Sequence, residues 1–352
     1  MSKQGKRQMP TAVVNKREGN IRILFALISV ALVLAMGGCS LLGSTDKPVE
    51  KHIFDIMDTD VNVRAYGPNA EEAIEQALAE MRRLDSLLSA YDPDSEVSEV
   101  NRMAGEAPVK VSDDTLAVIE RALYFAELSG GVFDPTVFPV SELWAVAREQ
   151  KQLPSKEDVA AALELVDYTR VQVDRDEATV FLSVKGMGLD LGAIAKGYAV
   201  DKMAQILRAS QVESFLINAG GNVYAGGRKP DNTLWRVGVT DPKDTGDIIG
   251  VMPAEDMAIV SSGDYRRYFV VDNTVYHHII DPRTGYPSDT SRGTTVFSPS
   301  SIDADALSTI MFILGPDDSE GILSQFDGIG VIFVRQDGSV VSKGLVDGFE
   351  FK

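Results

Sequence analysis

Several residue types that commonly build functional or stabilising sites are scarce in this chain of 352 residues, which holds one cysteine, three histidines and two tryptophans. Because Cys39 has no second cysteine to pair with, no internal disulfide can form, and stability must come from a hydrophobic core. The CxxC and HExxH patterns of redox and zinc sites are absent. Acidic residues outnumber basic ones, 52 against 34, and the formal net charge of −18 opposes binding to nucleic acid or anionic lipid headgroups.

The common fingerprints of nucleotide-binding sites are also missing. Neither GxxxxGKS nor GxxxxGKT occurs, and the glycine-rich segment at residues 220–227, which reads GGNVYAGG, does not fit GxGxxG. Any nucleotide chemistry must therefore use a different architecture.

The N-terminal region has an apolar run at residues 23–36 that is too short for a comfortable transmembrane helix. A basic segment precedes the run and small residues follow it, which together are typical of an export signal. Cys39 stands where a lipoprotein signal peptidase would need it, although Met36 replaces the commoner leucine. We therefore expect a signal peptide at residues 1–38 and a lipidated tether at residues 39–50. The alternatives are an uncleaved anchor and an ordinary signal peptide with an incidental cysteine.

Lipid anchoring would place the protein at the extracytoplasmic face of a bacterial membrane. Removal of residues 1–38 takes away six basic residues and one acidic residue, so the mature part would carry a net charge of −23. Attachment would therefore depend on burial of acyl chains and not on attraction to anionic headgroups.

Hydrophobic periodicity predicts an α+β fold, because strands cluster around hairpin turns while helices come in separate blocks. Asn69 is expected to cap the first helix, with Glu72 completing a capping box. Mainly antiparallel sheets with packed helices would form two lobes around a cofactor cleft, with a boundary near residue 210. The predicted helices lie at residues 70–89, 112–128, from 155 onward, 193–207 and 303–314. The predicted strands lie at residues 52–66 (with an interruption at 58–60), 171–173, 179–184, 214–218, 235–240, 258–261, 266–271, 275–280, 329–334 and 339–342.

The segment Tyr276–Pro287, which reads YHHIIDPRTGYP, holds two of the three histidines. A β-branched strand here delivers an imidazole, a carboxylate and a guanidinium to a turn, which is typical of an active-site edge. His277 and His278 are adjacent and would point to opposite faces of a strand, so only one can face a cleft. A structural imidazole is the alternative for either residue.

Two further patterns suit phosphate chemistry. Asp305 and Thr309 lie four residues apart on one face of a predicted helix, and their oxygen atoms suit a hard cation such as Mg²⁺. The alternative is that Asp303 and Asp305 simply favour a helix N-terminus. Lys196 lies in the first turn of the helix that follows Asp190 and could meet a phosphate or an adenine edge, although an exposed helix lysine is the plainer interpretation.

Seven segments, in order and spacing, resemble hallmarks of the ApbE-type FAD:protein FMN transferases. The resemblance covers nearly all of the mature chain. The sequence departs from the family pattern at Asp58, where glycine is common, at Asn222, where aspartate is frequent, and at Ala145, where glycine is usual. The segments are YHHIIDPRTGYP (276–287), DLGAIAKGYAVD (190–201), IDADALSTIMFILG (302–315), LLSAYDPDSEVSEVNR (87–102), SGGVFDPTV (129–137), SSGDYRRYF (261–269) and INAGGNVYAGG (217–227).

This resemblance implies that residues 51–352 form a flavin transferase domain. The enzyme would move the FMN part of FAD to a Thr or Ser hydroxyl of a client flavoprotein and release AMP, with clients among membrane redox subunits. His278 would be the catalytic base. Asp305, Thr309 and the Ala193 carbonyl would bind Mg²⁺. The implied FAD contacts are Met57, Tyr91, Val132, Phe133, Asp134, Asp190, Lys196 and Ile279.

Two other functions remain open from the sequence. The same site could act as an FAD pyrophosphatase, with water as the nucleophile and FMN and AMP as products. The chain could also be a flavin-binding lipoprotein without catalysis. An assay that includes a client protein distinguishes the pyrophosphatase from the transferase. A response to magnesium distinguishes an enzyme from a flavin-binding lipoprotein.

Overall fold

The computed structural model describes residues 47–352. The predicted signal peptide, Cys39 and most of the predicted tether lie outside these residues. Across the described part, no helix combines the length and hydropathy needed to cross a membrane.

Eight α-helices occur in the described residues, and local sequence explains several of their ends. Ser95, Ser112 and Ser155 each precede a helix and accept a hydrogen bond from the backbone N–H three residues on. Such caps satisfy one of the N–H groups that a helix leaves free. The helices are α1 (Ala70–Leu88), α2 (Glu96–Arg102), α3 (Asp113–Ser129), α4 (Phe138–Gln150), α5 (Lys156–Leu163), α6 (Ala195–Ala209), α7 (Ser301–Asp318) and α8 (Glu320–Leu323).

The strands pair in antiparallel ladders. The largest sheet has eight strands in the order β1-β2-β6-β7-β10-β15-β16-β17, and the smaller sheets are β18-β9-β8, β3-β5-β4, β11-β12 and β13-β14. The strands are β1 (Val49–Ile56), β2 (Thr59–Tyr66), β3 (Val109–Lys110), β4 (Val171–Asp174), β5 (Thr179–Leu182), β6 (Ser214–Ala219), β7 (Asn222–Gly226), β8 (Trp235–Asp241), β9 (Asp244–Ala254), β10 (Met257–Gly263), β11 (Tyr268–Val271), β12 (Thr274–His277), β13 (Ile280–Asp281), β14 (Tyr286–Pro287), β15 (Ser291–Ser298), β16 (Gly330–Arg335), β17 (Val340–Gly344) and β18 (Glu350–Phe351).

The helix α7 is the centre of the packing. It lies on strands β10 and β15 and contacts α6, which in turn packs on α1. Twelve of its 18 residues are buried, so it is apolar on nearly all sides, as a core helix should be. A carboxylate in such a helix, at Asp305, is costly to bury and therefore needs specific partners.

The close approach of α6 to α7 depends on Gly197. A Cβ atom at this position would lie 2.3 Å from the Ser301 carbonyl oxygen and 2.8 Å from the Asp305 Cβ. Both distances are below any normal contact, so only glycine fits where the two helices cross. This crossing brings the start of α6 next to the Asp305 carboxylate.

The predicted fold class is confirmed, but several elements differ from the sequence-based expectation. Residues 52–66 form two antiparallel strands and not one interrupted strand, because the chain reverses at Met57 and Asp58, whose φ angles are 53° and 54°. No boundary lies near residue 210, since β6 pairs with β2 in the same sheet. Asn69 makes no capping bond, because its Nδ2 donates to the Ser210 carbonyl oxygen at 3.1 Å.

Other elements are absent from the sequence-based assignment. The helices α2 and α4 and the strands β7, β9 and β15 were not predicted from periodicity. In β15, seven of the eight residues are buried, so both faces are covered and the alternation that marks a half-exposed strand is lost. The helix α2 is only seven residues long, too short for a clear helical period.

Candidate active-site cleft

One cavity of about 1010 Å³ lies where the central sheet, the hairpins and the helices α1, α4, α6 and α7 meet. This volume is large enough for a dinucleotide. The structure brings together all twelve residues that the sequence assigned to catalysis, cofactor binding or metal binding, although they span 253 positions of the chain. The residues at the cavity wall are Met57, Tyr91, Val132, Phe133, Asp134, Asp190, Ala193, Lys196, His278, Ile279, Asp305 and Thr309.

His278 follows the last residue of β12 and faces the cleft. Its Nδ1 lies 3.2 Å from the Arg266 carbonyl oxygen, which can only accept a hydrogen bond. The hydrogen of a neutral imidazole therefore lies on Nδ1, and Nε2 is left with a free lone pair. A neutral imidazole with its Nε2 lone pair free can act as a general base.

The surroundings of His278 favour its neutral form. Solvent in the open cleft reaches the side chain, and the ring also contacts the backbone of Arg266. This partial burial, together with the positive charges of Arg267 and Lys196 and the neighbouring His277, lowers the pKa of His278 to about 3. The shift is downward because each of these influences disfavours a second proton on the ring.

His277 points into the protein. It is 7% exposed, its Nε2 lies 2.8 Å from the Ser288 carbonyl oxygen, and its Nδ1 accepts the Ile279 N–H at 3.2 Å. Burial lowers the pKa of this histidine as well. Because both ring nitrogens are engaged, His277 is a satisfied structural imidazole, and His278 is the one whose ring reaches the cleft.

Oxygen atoms from α6 and α7 converge at the base of the cleft. The Asp305 carboxylate is 4% exposed, and its Oδ2 accepts the Gly197 N–H at 2.9 Å. Gly197 lies in the first turn of α6, where backbone N–H groups have no partner within the helix, so this carboxylate satisfies one of them. Among residues 47–352 the Ala193 carbonyl accepts no backbone hydrogen bond, so its lone pairs are available. Thr309 adds a hydroxyl one helical turn beyond Asp305.

This donor set fits a hard divalent cation that is shared with a phosphate ligand. In the described part of the chain, no group of three His, Cys, Asp or Glu side chains could hold a metal by itself. Asp305 is thus a lone carboxylate beside a carbonyl and a hydroxyl. Mg²⁺ is commonly held in this way, by one or two carboxylates, with waters and substrate phosphates completing the octahedron.

Lys196 lies beside the oxygen cluster. Its Nζ donates to the Gly192 carbonyl oxygen at 2.6 Å and lies 3.8 Å from Asp305 Oδ2. Asp190 closes the preceding turn, since its Oδ1 accepts the Gly192 N–H at 2.9 Å. Asp190 lies in a loop and belongs to no strand. The ammonium of Lys196 is therefore held where an anionic ligand at the oxygen cluster would meet it.

Apolar side chains form another part of the wall. Val132 and Phe133 are buried, and Phe133 packs edge-to-face on Phe125. Tyr91 is 56% exposed and tilts against Phe138, so it stands in the cleft and not in the core. An exposed aromatic ring over an apolar pocket is suited to stacking on a planar ligand.

Asp134 and Met57 shape the cleft through hydrogen bonds that hold its backbone in place. Asp134 Oδ1 accepts from the Thr136 N–H and hydroxyl, and its Oδ2 accepts from the Tyr168 N–H. Burial raises the pKa of this carboxyl despite these donors. Its oxygens connect the turn at residues 134–136 to Tyr168. Met57 has its N–H bonded to Asp85 Oδ2 at 3.0 Å, which holds the β1-β2 turn at the cleft.

An arginine pair at the cleft was missed by the sequence analysis. Arg267 Nη2 donates to the Asp58 carbonyl oxygen at 2.7 Å, and Nη1 lies 3.6 Å from Asp58 Oδ2. Arg266 donates to the Gly220 carbonyl oxygen. The sequence feature that could have identified them is the occurrence of two consecutive arginines in a strongly acidic chain. Their partners lie 46 and 209 residues away, so only the fold shows which groups they join.

Asn222, one of the departures from the family pattern, also lies at the cavity wall. It is 2% exposed, and its side-chain nitrogen has no hydrogen-bond partner within residues 47–352. A buried donor without a partner costs roughly 1–3 kcal/mol. Its amide is therefore a candidate donor to a bound ligand.

Comparison with known proteins gives a consistent result. Residues 57–333 match the ApbE family. The FAD:protein FMN transferase of Treponema pallidum (strain Nichols) is 38% identical over 312 residues, which are 83% of this chain and 86% of that protein. The protein of the same name from Klebsiella pneumoniae (strain 342) is 33% identical over 300 residues, 84% of this chain and 92% of that protein.

Solved structures show the same fold. The ApbE protein from Thermotoga maritima has a TM-score of 0.80 at 33% identity, with 87% of this chain and 100% of that chain covered. The flavin transferase ApbE from Vibrio cholerae has a TM-score of 0.74 at 26% identity, with 84% and 97% covered.

Proposed function

This chain belongs to the ApbE family, and on that premise we propose that it transfers the FMN part of FAD to a Thr or Ser hydroxyl of a client flavoprotein and releases AMP. It is an enzyme, an FAD:protein FMN transferase, and FAD is its substrate. The observation that carries the proposal is the single cavity in which a neutral histidine, a lysine and an oxygen cluster lie together.

The reaction needs a base, because a Thr or Ser hydroxyl is a poor nucleophile at neutral pH. His278 Nε2 accepts the hydroxyl proton as the oxygen forms its bond to the FMN-side phosphorus of FAD. The bond from that phosphorus to the AMP oxygen breaks, and AMP leaves with the electron pair. The Arg266 carbonyl keeps the other ring nitrogen protonated, so the ring faces the nucleophile with its lone pair.

The developing negative charge needs compensation. Lys196 supplies a fixed positive charge 3.8 Å from Asp305 Oδ2. Asp305, Thr309 and the Ala193 carbonyl would hold Mg²⁺, which when bound neutralises charge on the diphosphate. Val132, Phe133 and Ile279 exclude water from the apolar side of the cleft, and Tyr91 is placed to stack on the isoalloxazine.

We also propose that the protein is anchored at the extracytoplasmic face of a bacterial membrane through a lipid on Cys39. The N-terminal sequence supports this proposal, and the acidic body of the protein makes electrostatic attachment unfavourable. Clients would then be flavoprotein domains of membrane redox systems exposed on the same side.

The test is mass spectrometry on the purified protein from residue 40 to 352, mixed with FAD, MgCl₂ and a candidate acceptor domain. A mass gain of one FMN on the acceptor, with AMP released and EDTA blocking both, is the expected result. Free FMN and AMP with the acceptor unmodified, across a panel of acceptor domains, would instead identify a pyrophosphatase. FAD that stays intact would contradict both activities.

A further inference from the structure

The β11-β12 hairpin has one packed face and one open face. Tyr276 stacks on Phe269 and on Trp144, and Phe269 is tilted against Trp144, with ring centroids 5.6–6.3 Å apart. The opposite face carries Val270 and its cross-strand partner Val275, each 50% exposed. Tyr268, 51% exposed, continues this open face towards the base of the hairpin.

The open face is unusual for a surface strand, which normally alternates apolar with polar residues. Three large apolar side chains lie on it, and the only charged residue of the hairpin, Asp272, is in the turn. Asp272 and Asn273 both have positive φ, which gives the hairpin a tight two-residue turn and fixes its register. The valine pair therefore has a defined cross-strand register.

Both outer edges of the hairpin lack a strand partner. β11 and β12 form a sheet of two strands, and no other strand of the described residues pairs with either one. A free strand edge presents backbone N–H and C=O groups that can pair with an added strand. The hairpin thus offers hydrogen bonds along its edge and apolar contact on its open face.

The position of the hairpin links this surface to the reaction. β12 ends at His277, and His278 follows directly at the cleft. The other end, at Arg266, contacts the ring of His278. At about 3.3 Å per residue, Val275 lies about 10 Å from His278. A chain laid along the hairpin would bring a residue three or four positions further on to the catalytic histidine.

We propose that the β11-β12 hairpin is the docking surface for the client's acceptor segment, which binds it as an extended strand with apolar side chains next to the Thr or Ser. The proposal rests on the proposed transferase function. That function requires a protein chain to enter the cleft at His278, and this open edge leads there. None of the three exposed side chains lines the cavity, so the FAD site does not require them.

The test is the double variant Val270→Thr/Val275→Thr, which keeps β-branched side chains and so keeps the strands. The acceptor domain is one that the wild-type protein flavinylates, so failure of the transferase function would be evident before this test. We expect the KM for the acceptor to rise about tenfold, while kcat and the Kd for FAD stay within twofold. Val340→Thr, on the outer strand β17 and 39% exposed, is the matched control and should change neither.

An unchanged KM for the acceptor would overturn the proposal. A rise in the Kd for FAD as large as the rise in the KM for the acceptor would also overturn it. Loss of a dimer in the double variant would identify a second copy of this chain as the occupant and would also overturn it. Hydrogen exchange gives an independent measurement, with an acceptor domain whose accepting Thr is replaced by Ala. Amides of residues 268–277 should exchange more slowly in its presence, and unchanged exchange there contradicts docking.

Discussion

At the scale of single residues, the first prediction concerns His278. We expect His278→Ala to lower the rate of FMN transfer at least about 100-fold, because the proposed acceptor of the hydroxyl proton is lost. FAD binding should stay within about threefold, since the imidazole acts on the nucleophile. Single-turnover transfer and FAD titration measure the two effects. His52→Ala replaces an exposed histidine on β1 and is the control. Wild-type transfer by the His278 variant would exclude the role.

The second prediction concerns pH. A lowered pKa keeps His278 neutral in mildly acidic solution, so transfer should decline only as the pH falls well below 6.5. Arg267 is one of the charges that lower this pKa, so Arg267→Gln should raise it and move the acidic limb of the profile to higher pH. The pH dependence of single-turnover rates measures this. Arg64→Gln, on β2, is the control and should leave the acidic limb of the pH profile unchanged. An unchanged acidic limb in the Arg267 variant would contradict the assignment of that limb to His278.

The third prediction concerns the oxygen cluster. Asp305→Asn should abolish the response of transfer to added MgCl₂, because the only carboxylate among the proposed ligands is lost. Asp303→Asn is a matched control on the same helix, where Asp303 pairs with Arg121 away from the cleft. Its magnesium titration should match that of the wild type. The same titration curve in the Asp305 variant would show that the cation binds elsewhere.

At the scale of secondary-structure elements, the crossing of α6 and α7 decides the geometry of the cleft. Gly197 permits the approach, and its N–H, which has no acceptor within the first turn of α6, donates to Asp305. One backbone position therefore allows the packing and orients the carboxylate.

This crossing leads to the fourth prediction. Gly197→Ala should reduce the free energy of unfolding by about 1–3 kcal/mol, because the added methyl group has no space. Magnesium affinity should fall too, since the helices must move apart. Gly321→Ala, in α8 with nothing within 4 Å of the added atom, should be neutral or slightly stabilising. Urea denaturation of both variants gives the comparison, and equal stabilities would contradict the steric argument.

At the scale of the whole molecule, charge and anchoring are connected. The fifth prediction is that Cys39→Ala releases the protein from the membrane fraction of an expressing bacterium. Because the mature part carries a net charge of −23, low ionic strength should not restore the attachment. Fractionation followed by immunoblotting measures this. Retention of the variant in the membrane at any salt concentration would indicate an uncleaved anchor.

Much of the site could be predicted from sequence because its parts are local. The four-residue spacing of Asp305 and Thr309 defines one face of a helix wherever the helix lies. The expectation that only one of the adjacent histidines faces the cleft agrees with the structure, although His278 lies just beyond the end of β12. Ser112 and Ser155 marked helix starts, because a cap involves only the next few residues.

Other features could not be predicted, because their partners are distant in sequence. Arg267 and Asp58 are 209 residues apart, and Gly197 and Asp305 are 108 apart. Asn69 had the sequence of a cap but donates to Ser210, since tertiary packing offered a different acceptor. The strand β15 lost its alternation because both of its faces are covered.

The sequence by itself determined the fold class, the family and the residue types of the site, since periodicity, spacing and motif order are properties of the chain. Only the tertiary structure decided that twelve scattered residues share one cavity, that the Ala193 carbonyl is free, and that an open hairpin leads to His278. The physical reason is that burial, free lone pairs and unpaired strand edges depend on which distant segments pack against a residue. A local sequence pattern does not specify those segments.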